Sequence, residues 1–402
     1  MLNDNYSSIL QYYESLIQRP IDDYAQRRYR LRLPVIPEGI LQEILVKAIG
    51  FFRDEPSLLL LEGDFVIIGD LYGSILDLLR IFKLLGFGSS KKFLFLGNLI
   101  GDSHFSLEVM SLVFLLKNMY PEQFFIIRGS NEFQGIVNHS EFQKSINDLY
   151  TADSLYFKFL ELFSYLPFAA VVNNEAFCVH SGFGPSIESL SVIKNIKRPF
   201  TKLSAELAPL FWSNPTDSLP LYLPTSQGIL YGSQALSEFL EENELKVMIR
   251  GHMLIPDGIK IGLKDKLNTV FSCSNYNGSL NRSGLLRYSN KGAELSSFDP
   301  LATLCRTDVA FLRSQSETVF SINQHVSSIT SQRSILGLKQ ALPPTLPSLA
   351  DARISLTTTL LQETKKNIPI IGRKSVRPIV PNLPKPKHRR SDMRPAYIYT
   401  ED

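Results

Sequence analysis

Between about Leu41 and Phe298 short apolar runs alternate with stretches in which apolar residues recur three and four apart, and turn residues separate the two. A run of the first kind reads as a buried strand and one of the second as an amphipathic helix. Phe65 to Ile68 is a strand ending at Gly69-Asp70, and Ser74 to Leu85 is the helix that follows. The unit repeats as Phe93 to Leu96 before Gly97-Asn98, then a helix over about Leu107 to Met119, then Phe124 to Ile127 before Arg128-Gly129-Ser130-Asn131. Three strands therefore end in polar turns that can converge on one sheet edge, where α/β proteins place their sites.

Further strands are expected at Ala169 to Val172, Ala176 to Val179, Lys246 to Ile249, Thr269 to Ser272 and Gly284 to Tyr288, which calls for a mixed sheet or a pair of sheets. Beyond about Pro300 the texture changes. Nine of the 23 prolines fall between Pro343 and Pro395, among Ser, Thr, Lys and Arg, so the sequence predicts a largely disordered tail there. The expected organisation is a partly helical extension over 1–40, a folded domain over 41–300 and a basic tail over 301–402.

Composition then narrows the class. At 402 residues with 44% hydrophobic content the chain can bury a large core. Its apolar runs are far shorter than the ~20 residues of a membrane span, and its N-terminus is polar rather than signal-like. An intracellular protein without membrane contact is expected. Cys178, Cys273 and Cys305 give neither a disulfide framework nor a zinc spacing. From Phe311 to Asp402 there are fourteen Lys/Arg and six Asp/Glu, so the tail carries +8 and the body 3 − 8 = −5. Lys385-Pro386-Lys387-His388-Arg389-Arg390 can be a patch for anionic partners or nuclear import, or simply a solvated end. No sequence-specific nucleic-acid binding is expected.

The polar turns carry recognisable motifs. In order they are GDLYG (Gly69 to Gly73), LGNLIGDS (Leu96 to Ser103), RGSNE (Arg128 to Glu132), VHSGFGP (Val179 to Pro185), LFWSNP (Leu210 to Pro215), RGHMLIPDG (Arg250 to Gly258) and FSCSNYNG (Phe271 to Gly278). This series resembles that of the phosphoprotein phosphatase family of serine/threonine phosphatases, within the calcineurin-like metallophosphoesterases. Active members write the motifs GDxHG, GDxVDRG, GNHE, HGG, LLWSDP, a Gly/Ala-His segment and SAPNYCG. The resemblance spans about Leu41 to Phe298 and implies an α/β fold, an αββα four-layer sandwich of two mixed sheets with a two-metal site at the strand ends.

The resemblance also shows what this chain lacks. Two adjacent divalent ions need anionic ligands, and a bridging carboxylate above all, to offset their repulsion. Of the family's ligand positions this chain keeps Asp70, His180 and His252, whereas the first histidine is Tyr72, the bridging aspartate is Asn98 and the asparagine of GNHE is Ser130. The candidate ligands are thus Asp70, Asn98, His180 and His252, and they are expected to hold at most one weakly bound divalent ion, manganese, iron or zinc.

The catalytic groups are replaced as well. Asn131 stands at the general-acid histidine, which removes a contribution of roughly 10²–10⁴ in rate. Asp102 stands at a phosphate-clamping arginine and Gly101 at its neighbouring aspartate, while Gln227 falls at a second phosphate arginine. Asn131, Gln227 and Tyr276 are the candidate pocket residues.

Other readings of these residues stay open. Asp70 can instead cap the helix after it, and His180 and His252 can be hydrogen-bonded core histidines. The expected function is a catalytically impaired pseudophosphatase, a cytoplasmic or nuclear binding or scaffold protein for phosphoproteins or phosphatase regulators. The alternative is an active metal-dependent serine/threonine phosphatase.

Overall fold

The apolar runs pair into two mixed sheets. In this computed structural model residues 4–88, 91–137, 141–151, 154–226 and 228–313 are described, so Gln227 and the basic tail from 314 onward lie outside the described residues. In chain order the strands are β1 (Arg32–Val35), β2 (Leu58–Leu61), β3 (Phe65–Ile68), β4 (Lys92–Phe95), β5 (Phe124–Ile126), β6 (Ala169–Val172), β7 (Ala176–Val179), β8 (Asn214–Pro215), β9 (Tyr222–Thr225), β10 (Gly228–Tyr231), β11 (Val247–Arg250), β12 (Ile259–Gly262), β13 (Leu267–Val270), β14 (Ser283–Ser289), β15 (Gly292–Phe298) and β16 (Ala310–Arg313).

One sheet runs β15-β14-β3-β4-β5 and the other β12-β13-β11-β7-β6-β2. In the first, β3, β4 and β5 are parallel and β14 is antiparallel to β3. In the second, β11 is parallel to both β7 and β13, while β6 is antiparallel to β7. Ile67, Leu94 and Leu286 of one sheet meet Ala170, Cys178 and Ile249 of the other in a layer of buried side chains. Because strand side chains alternate between faces, the neighbouring positions Val66, Ile68, Phe93 and Phe95 pack outward instead. They meet the helices Glu38–Asp54, Ile75–Leu85, Ser106–Met119 and Ser154–Tyr165. Phe177 and Met248 of the second sheet likewise pack on the helix Ser233–Glu242. The result is the αββα sandwich with two mixed sheets.

Residues on either side of 41–300 are built into the same core. Tyr6, Ile9 and Tyr13 of the helix Asp4–Ile17 are buried in the helical layer. β1 pairs in parallel with β16, Leu33 opposite Phe311. The segment before β16 is held by Arg306, which donates to both oxygens of Glu108 at 3.1 and 3.2 Å and lies 4.4 Å from the Phe311 ring. Beyond residue 300, Arg306 thus has a buried partner, Glu108, on the helix Ser106–Met119, and Phe311 packs against the same core. Among the described residues no helix is long and apolar enough to cross a membrane. Cys178 and Cys273 are buried and Cys305 is exposed.

Burial pushes the Glu108 carboxyl above its ordinary range, and the Arg306 guanidinium only partly offsets this. A carboxyl with a raised folded pKa contributes stability that is complete below its unfolded pKa and is lost as pH rises through the folded one. Urea titrations from mildly acidic to neutral pH should therefore show the wild type losing stability relative to Glu108→Gln, whose own curve lacks this component. A constant difference across that range would exclude the assignment.

Candidate active site

The ends of β3, β4, β5, β7 and β11 meet at one seam between the sheets. Gly69 follows β3 and lies so close to the Val270 carbonyl that a Cβ there would stand 2.0 Å from its oxygen. Only glycine permits that approach, which carries Asp70 into the seam. Asp70 is fully buried. Its Oδ2 accepts from Asn98 Nδ2 at 2.8 Å and its Oδ1 from the His252 backbone N–H at 2.5 Å. The helix after it starts at Ile75 behind Ser74, so Asp70 is not that helix's cap.

Asn98 sits in the turn after β4 with φ of +50°, next to Gly97 at +90°. Its carbonyl accepts from the amides of Leu71 and Tyr72. Its side-chain Oδ1 accepts from the Asn131 amide at 2.8 Å, and its Nδ2 lies 3.3 Å from Ser130 Oγ. This turn is organised by Glu132, a residue that the sequence analysis did not single out. The buried carboxylate accepts the amides of Asn98, Leu99 and Gly129 at 2.8 to 2.9 Å. Burial raises it to about 6, against the pull of those same amides. Its place at the end of RGSNE was the one available signal.

His180 follows β7. Its Nδ1 lies 2.8 Å from the Leu96 carbonyl and so carries the proton, which leaves Nε2 to accept from Ser130 Oγ at 3.3 Å. His252 follows β11 with φ of +65°. Its ring packs edge-on to His180 at 5.1 Å and to Trp212 at 5.4 Å. Its Nδ1 is buried without a hydrogen-bond partner among the described residues. Burial lowers both histidines, and for His252 the neighbouring His180 and Arg250 add to the effect. Both rings are neutral near pH 7.

Tyr72 occupies the remaining space. Its hydroxyl is 3.3 Å from Asn98 Nδ2 and lies near the Asp70 carboxylate. Its ring stacks on Tyr276 at 4.6 Å and leans on Phe271 at 5.8 Å. Burial and then the Asp70 charge hold the phenol well above its ordinary range, so it stays protonated as a donor. Gly101 is the counterpart of that ring: a Cβ at 101 would lie 2.3 Å from Tyr72 Cδ1. The two departures from the family pattern therefore depend on each other.

The catalytic positions hold no acid and no clamp. Asn131 Nδ2 donates to the Ile100 carbonyl at 3.0 Å. Asp102 is exposed and accepts from Tyr276 Oη at 3.0 Å. Arg250 is fully buried and donates to the carbonyls of Ser181 and Ser213 and to Asn214 Oδ1. All three partners are neutral, and Asn214 stands where the family motif has an aspartate. Burial lowers the Arg250 pKa, while Tyr231 and Asp70 support its charge.

The donor set does not fit a two-cation centre. Asp70 is its one carboxylate, both of its oxygens are occupied by internal donors, and the bridging position is an amide whose N–H₂ points at Asp70. Among the described residues no three His, Cys, Asp or Glu side chains are grouped as metal ligands. Asp70, Asn98, His180, Asn131 and Tyr276 are brought to one site, with His252 at its edge through its backbone bond to Asp70.

The fold that carries this site is that of the metallophosphoesterases. The family model of the calcineurin-like phosphoesterases matches residues 63–256, and that stretch is a calcineurin-like metallophosphoesterase domain. Within that class the structure is similar to a serine/threonine phosphatase of Saccharomyces cerevisiae that has similarity to human phosphatase PP5. Identity is 27% and the TM-score 0.63, over 66% of this chain and 90% of that one. A cold-active protein tyrosine phosphatase of a Shewanella species matches at 12% identity and a TM-score of 0.44, over 62% of this chain and 84% of that one.

The packing of Tyr72 against Gly101 is open to a double-mutant cycle. Gly101→Asp should destabilise the chain by about 2 kcal/mol or more through overpacking. Adding Tyr72→His should recover at least ~1 kcal/mol of that loss, as expected for residues in contact. Additive effects in chemical denaturation would exclude the coupling.

Proposed function

We propose that this chain is a pseudophosphatase: a protein with the fold of a serine/threonine phosphatase that acts as a binding or scaffold protein and not as a hydrolase. The observation that carries the reading is the self-contained network at the centre. Asp70 is bonded to Asn98 and to the His252 amide, Tyr72 fills the space beside them, and Asp102 presents a carboxylate where a phosphate dianion would need a cation. A phosphoryl group there would meet like charge in place of a charge-assisted bond worth about 1.5–3 kcal/mol. Loss of the general acid at Asn131 removes roughly 3–5 kcal/mol of barrier lowering. The partners that suit a retained phosphatase surface without turnover are phosphatase regulatory proteins or phosphoproteins, in the cytoplasm or nucleus.

A second reading is favoured by one observation. His180 and His252 remain ring to ring, and His252 Nδ1 has no hydrogen-bond partner among the described residues. These two rings with Asp70 are the most that is left to hold one weak divalent ion and support residual phosphoserine or phosphothreonine hydrolysis.

One experiment separates the readings. The purified chain, with manganese supplied, should release phosphate from a phosphoserine peptide at least ~10³-fold more slowly than the yeast phosphatase, given the combined loss of acid and clamp. His252→Ala should leave any residual rate unchanged. Brisk, manganese-dependent turnover that His252→Ala abolishes would establish the second reading and end the first.

A further inference from the structure

We propose that the cavity beside Tyr276 receives the guanidinium or ammonium end of a basic side chain presented by a partner protein. The inference rests on the reading of this site as one that binds without hydrolysing, and it names the partner's chemistry.

The cavity has a volume of about 190 Å³, room for one long side chain, and lies on the outer side of the aromatic stack that closes the centre. Its inner wall is partly apolar, with Phe105, Leu301 and Leu304, and partly polar, with Asp77 and Ser274, while Asp102 and Asn277 stand exposed at its mouth. A lysine or arginine buries its methylenes against such a wall and keeps its charged head among polar groups.

The charges around the cavity decide the sign of the ligand. No lysine or arginine lines it, and His104 is its one basic residue. Its other carboxylate, Asp77, is neutralised by Arg80 at 2.5 Å and accepts from Ser74 and Ser274. Asp102 is different. Its partner is the Tyr276 phenol at 3.0 Å, and no Lys or Arg among the described residues forms an ion pair with it. A carboxylate that accepts one neutral hydrogen bond keeps further lone pairs free, and a guanidinium fork takes these up. The Tyr276 ring beside it offers a face for the same cation.

Titration of the full chain with agmatine, and separately with a fluorescein-labelled Gly-Arg-Gly amide, tests this directly. Saturable binding is expected, weakened about fivefold or more by Asp102→Asn and abolished by Asp102→Lys, as for loss of a charge-assisted bond. It should weaken as salt rises from about 0.05 to about 0.5 M, and inorganic phosphate should not compete. Ala302→Trp, which fills the exposed mouth without changing charge, should also block it. Unchanged thermal melting of each variant keeps the comparison valid, and Ala302→Trp stands alone should the Asp102 variants fail to fold. Non-saturable binding, binding indifferent to Asp102→Asn or to Ala302→Trp, or displacement by phosphate would overturn the proposal. Phosphopeptide hydrolysis measured on the same samples reports on the pseudophosphatase reading separately, so the failure of one is distinguishable from the failure of the other.

Discussion

The two sheets are joined at their site end by one buried carboxylate. Asp70 leaves β3, accepts from Asn98 beyond β4 within its own sheet, and accepts from the His252 amide beyond β11 in the other. Its backbone carbonyl takes the Ser272 amide, and it pairs with Phe271 in an isolated parallel bridge. In a metallophosphoesterase two cations stand at such a seam and hold its anionic ligands together. Here an asparagine stands at the bridging position, and Asp70 accepts from its side-chain amide and from the backbone, while Arg250 is near enough for the two charges to support each other. A buried carboxylate is tolerable when each of its oxygens is hydrogen-bonded.

That substitution accounts for the residues around it. A bridging aspartate at position 98 would repel Asp70 in the absence of cations, whereas an asparagine donates to it. The tyrosine at 72 sets its hydroxyl beside Asn98 and near Asp70 and seals the seam by stacking on Tyr276. The wider ring then requires Gly101. Glu132 keeps the turn in shape by accepting the amides of Asn98, Leu99 and Gly129, a task independent of any metal. This explains how the framework of the centre can persist while its chemistry is replaced.

Much of this was legible in the sequence because strand periodicity and motif order are local signals. Phe65 to Ile68, Ala169 to Val172 and Ala176 to Val179 are strands over those same residues. What was not legible depends on contacts between distant segments. The pairing of β1 with β16 joins residues some 280 positions apart, and neither Arg32–Val35 nor Ala310–Arg313 has an apolar run long enough to announce a strand. Gly101 looks like one more loop glycine until the Tyr72 ring lies against it. Asp70 read equally well as a helix cap, and only the backbone path of His252, with its positive φ, brings an amide to its Oδ1. Arg250 drew no notice because its partners are carbonyls and an amide contributed by segments more than thirty residues away.

The charge pattern left by these changes has a direction. A phosphatase centre collects cations in order to attract an anion, and its protein ligands are negative for that reason. With Asp102 at the position of the motif's arginine and Asn98 at that of its bridging aspartate, the carboxylates of Asp70 and Asp102 remain and set the sign of the charge here. Asp70 turns that charge inward, onto Asn98, Tyr72 and the His252 amide, where it stabilises the fold. Asp102 turns it outward, at the rim of a cavity with a partly apolar wall and a tyrosine at its side. The outward carboxylate changes what can approach: a dianion is repelled at the position where the family would hold it, and a cation is drawn to the same position. The inversion of sign at this position follows from a carboxylate standing where the family motif has an arginine.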